Sequence, residues 1–180
     1  MSDFASRTDA HTIQFERLLP GPIERVWDYL YDSEKRGQWF ASGPLPDRVG
    51  DTFHMAFKHS RLSPHHAEPP EKMREIDKTG HGSTNVLLAC EPPHRLAFTF
   101  GGETDPSRTS EVEFRLEPLG DKVKLTLTHR RIPDRGHMLG VSGGWHSHLD
   151  VLGYRLRNEV PPAFWDIWRK YDDAYDKRLA

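Results

Sequence analysis

The chain has 180 residues, enough for one domain with a sizeable core and no need of staples. Its 25 Lys and Arg against 27 Asp and Glu leave a net charge of -2, so it lacks the basic footprint that nucleic acid requires. The single cysteine, Cys90, can build neither an internal disulfide nor a cysteine metal site, and it fits a reducing, cytoplasmic setting.

Residues 1–10 are polar and have no apolar run of the kind a secretory signal needs, so they are expected to be a flexible N-terminus ahead of a single domain over 11–180. From Thr12 to Leu19 the pattern alternates, with Ile13 and Phe15 on one face, which predicts a half-buried strand. Gly21-Pro22 stops it. Ile23, Val26, Trp27 and Leu30 then recur at helical spacing, and Asp32-Ser33 can cap a second short helix that Gly37 ends. Asp51 to Phe57 alternates again, with Phe53, Met55 and Phe57 on one face. From Lys58 to Ser83 periodicity is lost among prolines and charges. This predicts a long mobile excursion, with a helical turn near 71–76, lying over whatever the domain holds.

Asn85 to Cys90 is apolar on both faces and reads as a buried strand. Its run from Val86 to Cys90 is the longest unbroken apolar stretch, far short of a membrane span, so membrane insertion is not expected. After the Pro92-Pro93 turn, Leu96, Phe98 and Phe100 share a face. Val112, Phe114 and Leu116 follow, then the turn signal Gly120-Asp121, then Val123, Leu125, Leu127 and His129. The period changes over Ser142–Val160, where Trp145, Leu149, Leu152 and Leu156 form one helical stripe. Pro161-Pro162 interrupts it, and a tail helix carries Phe164, Trp168, Tyr171 and Tyr175. The order is α+β: a strand, two short helices, a run of antiparallel strands, and a long C-terminal helix. A sheet with one apolar face must cover it, and the long helix has the matching stripe. A curved sheet closing on one helix leaves a gap where a ligand can sit.

Five segments in this order resemble a known family. They are Pro22-Ile23-Glu24-Arg25-Val26-Trp27-Asp28-Tyr29-Leu30, Trp39, the run from Cys90 to Phe100, Leu125-Thr126-Leu127-Thr128-His129, and Gly143-Gly144-Trp145 with Leu149 and Leu152. Together they resemble the activator-of-heat-shock-protein-90-ATPase homologue-like family of the START and Bet v 1-like (SRPBCC) superfamily, over about residues 11–158. The resemblance implies a helix-grip fold with a cavity between sheet and helix, and no universal catalytic set. The eukaryotic co-chaperone of that name carries a further N-terminal domain for chaperone contact. Only about ten residues precede the first strand here, so chaperone contact is a secondary expectation.

The expected ligand-binding residues are Trp39, Phe53, Met55, Phe57, Phe98, Phe100, Phe114, Leu127, His129, Trp145, Leu149 and Leu152, with Trp39 and His129 framing the mouth. The expected partner is a small hydrophobic molecule: a lipid, an aromatic or a polyketide-like compound. The chain is expected as a monomer or homodimer. No catalytic residues, metal or cofactor are expected. His146 and His148 lie about 200° apart on a helix and cannot share a metal, and no His-x-x-x-His spacing occurs on it. Two alternatives stand beside ligand binding. One is a cyclase- or hydrolase-like enzyme in which His129 moves a proton. The other is an interaction module docking through its aromatic tail.

Overall fold

A computed structural model describes residues 4–101 and 106–178. Seven strands form one antiparallel sheet: β1 (Ser6–Asp9), β2 (Thr12–Pro20), β3 (Thr52–Phe57), β4 (His81–Glu91), β5 (Arg95–Phe100), β6 (Ser110–Leu119) and β7 (Lys122–Arg130). Their order across the sheet is β1-β2-β7-β6-β5-β4-β3. Helices α1 (Ile23–Tyr31) and α2 (Ser33–Gly37) follow β2. Then α3 (Arg74–Thr79) precedes β4, and α4 (Arg135–Leu156) and α5 (Phe164–Arg178) close the chain. The long helix α4 packs against β2 and α5. No helix among the described residues is long and apolar enough to cross a membrane.

Register explains why the alternating strands agree on one inner face. Phe98 pairs with Val112, Val112 with His129, and His129 with Ile13, giving one inward row across four strands. The row beside it runs Leu96, Phe114, Leu127 and Phe15. A slip of one residue would turn both rows to solvent, so burial fixes the pairing. The outward row of Ala97, Glu113, Thr128 and Gln14 is not simply a solvent face. The sequence places Glu113 in water, yet its carboxylate is buried and held by Arg95 at 2.7 Å, Arg115 at 3.0 Å and Arg130 at 3.3 Å.

Four elements differ from the sequence reading. The N-terminal segment expected to be loose contains β1, which pairs Ser6 with Gln14 and Arg7 with Ile13. All four β1 residues are exposed, so it is held by backbone hydrogen bonds and leaves no hydrophobic trace in the sequence. Strand β4 begins at His81 and claims the end of the expected excursion. It alternates Ser83, Asn85 and Leu87 inward with Leu88 exposed, and a bulge between Leu87 and Ala89 then pairs Ala89 with the outward Ala97, so the strand is not buried on both faces. Helix α4 starts at Arg135, seven residues before the apolar stripe. Asp134 caps it by accepting from the His137 backbone N–H at 2.9 Å, and the glycines of its first turns hide this start. On α5 the buried residues are Phe164, Trp165, Ile167, Tyr171 and Tyr175, with Trp168 half-buried.

The α1–α2 unit is stitched by Arg36, a buried cation with no carboxylate in ion-pair contact among the described residues. Its guanidinium donates to the carbonyls of Leu30 at 3.2 Å, Tyr31 at 2.9 Å, Ala41 at 3.0 Å and also Gly43. Burial lowers its pKa to about 10, so it stays charged at neutral pH. The excursion after β3 is tied down in its first part. Leu62 is buried, Arg155 donates to the Leu62 carbonyl at 2.8 Å, and the Ser63 hydroxyl donates to the Pro161 carbonyl at 2.7 Å.

Candidate functional site

Along most of its length the gap between sheet and α4 is packed shut. Trp39, Phe53, Met55, Phe98, Phe114, Leu127, Leu149 and Leu152 are all buried in the core. Their rings fit edge to face: Phe53 against Phe98 at 5.8 Å, Trp39 against Phe114 at 6.2 Å, and Phe114 against Trp145 at 5.7 Å between centroids.

One end stays open. A cavity of about 270 Å³ lies where Phe40, Phe57 and Phe100 face α4 and α5. From α4 come Gly140, Val141, Gly144, Trp145 and His148; from α5 come Phe164, Trp165 and Trp168. The excursion adds His59, Lys72 and Met73, and β4 adds His81. Of the residues expected from the sequence, Phe57, Phe100 and Trp145 line this space. The α5 wall was missed because its aromatics read as a stripe seeking burial, with no sign of where it would dock. A larger depression of about 430 Å³ lies beyond Phe57 and His81, lined also by Lys58, Arg61 and Thr79. Its polar rim suits water better than an apolar guest.

The cavity exists because α4 carries glycine where a side chain would reach in. Gly140 and Gly144 are one turn apart on the cavity face, and a Cβ built on either would meet nothing within 4 Å. Each costs the helix about 1 kcal/mol relative to alanine. Neither is required by a close approach. Gly143, between them in sequence, turns toward α5 instead and would meet the Asp172 backbone at 3.9 Å.

Three histidines line the cavity. His148 Nδ1 lies 2.7 Å from the Trp39 carbonyl oxygen, so that nitrogen carries the proton and Nε2 keeps its lone pair. His59 sits among His148 at 5.3 Å, His81 at 5.7 Å, Phe164 at 4.7 Å and Trp165 at 5.2 Å, centroid to centroid. Burial lowers the pKa of His59 to about 4 and that of His148 to about 3, so both rings are neutral at pH 7. They pack as rings, and among the described residues no group of three or more His, Cys, Asp or Glu could hold a metal ion.

His129 is not at the mouth; like Trp39 it is fully buried. The Trp145 indole N–H donates to His129 Nδ1 at 2.9 Å, which leaves the ring proton on Nε2. Nε2 lies 2.7 Å from the Ser110 hydroxyl, which donates onward to the Phe100 carbonyl at 2.9 Å. The Ser–His pair therefore runs in the direction opposite to a nucleophile and its base, since histidine donates and serine accepts. Both nitrogens are engaged, and burial drives the pKa of His129 to about 3. That leaves it no nitrogen for a reacting group, against the proton-transfer role considered for it. Trp39 likewise spends its indole N–H on the Tyr29 carbonyl at 2.7 Å.

His146 faces the other way on α4. It stacks on Tyr171 at 3.6 Å, and its Nδ1 lies 2.9 Å from the Tyr175 hydroxyl, pinning α5 to α4.

A family model described as activator of Hsp90 ATPase homolog 1-like protein matches residues 20–156. No curated protein matches the chain. Among solved structures, the protein encoded by gene BPP1335 of Bordetella parapertussis is 44% identical, over 99% of this chain and 91% of its own, with a TM-score of 0.82. CalU16 of Micromonospora echinospora is 25% identical over 92% of this chain and 86% of its own, with a TM-score of 0.67. DynU16, from the dynemicin biosynthetic locus, shares the fold at 18% identity and a TM-score of 0.63, over 84% of this chain and 49% of its own.

Proposed function

Because the chain belongs to the activator of Hsp90 ATPase homolog 1-like family, within the START and Bet v 1-like superfamily, we propose that it binds a small, flat hydrophobic molecule at the α4–α5 end of the helix grip. The observation that carries this is the open space over Gly140 and Gly144, kept at a cost to the helix and walled by aromatic rings. A cavity of about 150 Å³ holds benzene. The 270 Å³ here has room for about two fused rings rather than a long acyl chain. Burying about 250 Å² of apolar ligand surface contributes about 6 kcal/mol before ordering costs, which limits the apolar part alone to a Kd of tens of micromolar or weaker. That the same fold occurs in the dynemicin biosynthetic locus is in keeping with a small-molecule role.

Gly144→Leu tests the reading. Its side chain enters open space, so the fold should be kept and the helix should gain about 1 kcal/mol from propensity. Binding of a two-ring aromatic, followed by quenching of Trp145, Trp165 and Trp168 fluorescence, should be abolished. Undiminished binding in a folded Gly144→Leu protein would place the ligand elsewhere.

A further inference from the structure

Among the described residues, two buried polar atoms on the cavity wall have no protein partner: Trp165 Nε1 and His59 Nδ1. Trp165 is 2% exposed and His59 9%, and their ring centroids are 5.2 Å apart. Native structures pair nearly all such groups, so two orphans on one cavity wall need a common explanation. Two nearby indoles are satisfied: Trp145, on the same cavity, donates to His129, and Trp39 behind it donates to the Tyr29 carbonyl. Of the five buried side-chain polar atoms without a partner among the described residues, these two are the ones on residues that line the cavity.

The chemistry of the two atoms limits what can satisfy them. An indole N–H only donates. The His59 ring is neutral, so its Nδ1 either donates or accepts according to tautomer. A hydroxyl accepts from the indole and serves the imidazole in either tautomer. A carboxylate would bring an uncompensated charge among neutral rings, which is costly. The nearby cation, Lys72, already has partners at the cavity rim: its ammonium lies 4.9 Å from the Trp168 ring centroid and 3.8 Å from Asp172. An unsubstituted hydrocarbon would leave both atoms bare.

Resting on the cavity reading above, we propose that the guest is an uncharged aromatic of one or two rings bearing a hydroxyl, seated between Trp165 and His59.

The test is a titration of the full-length, 15N-labelled protein with naphthalene, 2-naphthol and 2-naphthoate. The Trp165 indole resonance is assigned from Trp165→Phe. We expect 2-naphthol to bind about tenfold tighter than naphthalene, about one charge-neutral hydrogen bond's worth. We also expect the Trp165 indole proton to move downfield with 2-naphthol and not with naphthalene. In Trp165→Phe the tenfold advantage should vanish while naphthalene affinity holds. Should that variant fail to fold, the wild-type indole shift and the same comparison in His59→Phe decide the matter. Equal affinity for naphthalene and 2-naphthol would overturn the hydroxyl subsite and leave the cavity standing. Tighter binding of 2-naphthoate would overturn it in favour of an anionic guest. No binding by any of the three would remove the cavity reading, and the subsite with it.

Discussion

The Trp145 indole is the hinge of a polar chain inside an otherwise apolar core: indole to His129, His129 to Ser110, Ser110 to the Phe100 carbonyl. Trp145→Phe keeps most of the ring packing and removes the one donor to His129 Nδ1. A buried imidazole nitrogen would then be unpaired, at a cost of about 1–3 kcal/mol. Denaturant unfolding should show that loss, and the ring nitrogens of His129 should lose their fixed tautomer in 15N spectra. An unchanged stability would mean that water replaces the indole. The sequence shows His129 facing inward and Trp145 facing the sheet. It does not show that the two meet, because a hydrogen bond across sixteen residues depends on where α4 crosses β7. The same limit hid His59 and His148, which are unremarkable in their own segments and become neighbours only when β3, α4 and α5 converge.

Among the elements, the excursion between β3 and β4 differs most from its sequence. The reading of an aperiodic, proline-rich stretch misses the short 3-10 turn at His59–Arg61. The turn expected near 71–76 is present and continues to Thr79. Its anchors are polar and long-range: Arg155 to Leu62, Ser63 to Pro161, and Ser60 to the Asp77 carboxylate at 3.0 Å. Such anchors have no periodicity to read. They divide the segment into a fixed start and an exposed middle. Residues 64–72 should exchange amide hydrogens fast in the free protein, with Leu62 and Ser63 slower. Because Lys72 and Met73 border the cavity, a guest should slow exchange around 70–73 selectively. Fast exchange there in the bound state would show that this wall does not close on the ligand. The strands were far more legible, since a period of two with one buried face specifies both identity and register.

For the whole molecule, four buried histidines make stability acid-sensitive. Burial lowers the pKa of His59 to about 4, and of His129, His146 and His148 to about 3, from an ordinary value of 6.5. Below pH 6.5 the unfolded chain takes up protons that the folded protein refuses. Stability that is complete above pH 7 is therefore lost as the pH falls through 6.5 toward 4. The slope approaches about 1.4 kcal/mol per pH unit for each histidine. Urea unfolding at pH 7.0 and 5.5 should differ by about 5 kcal/mol. Equal stabilities would show that these rings are charged in the fold. The sequence places the helix grip correctly because the sheet's inner rows and the α4 stripe must cover each other. It could not place α5, whose docking depends on ring contacts such as His146 on Tyr171. The family match ends at residue 156, and α5 begins at Phe164. Strands β3 to β7 and the α4 wall of the cavity lie within that match, whereas Phe164, Trp165 and Trp168 come from a segment outside it that the Bordetella parapertussis structure also covers. One chamber wall is thus detachable from the sheet that shapes the rest: exchanging the fifteen residues of α5 for a relative's would re-tailor the chamber, provided that the ring under His146 is kept.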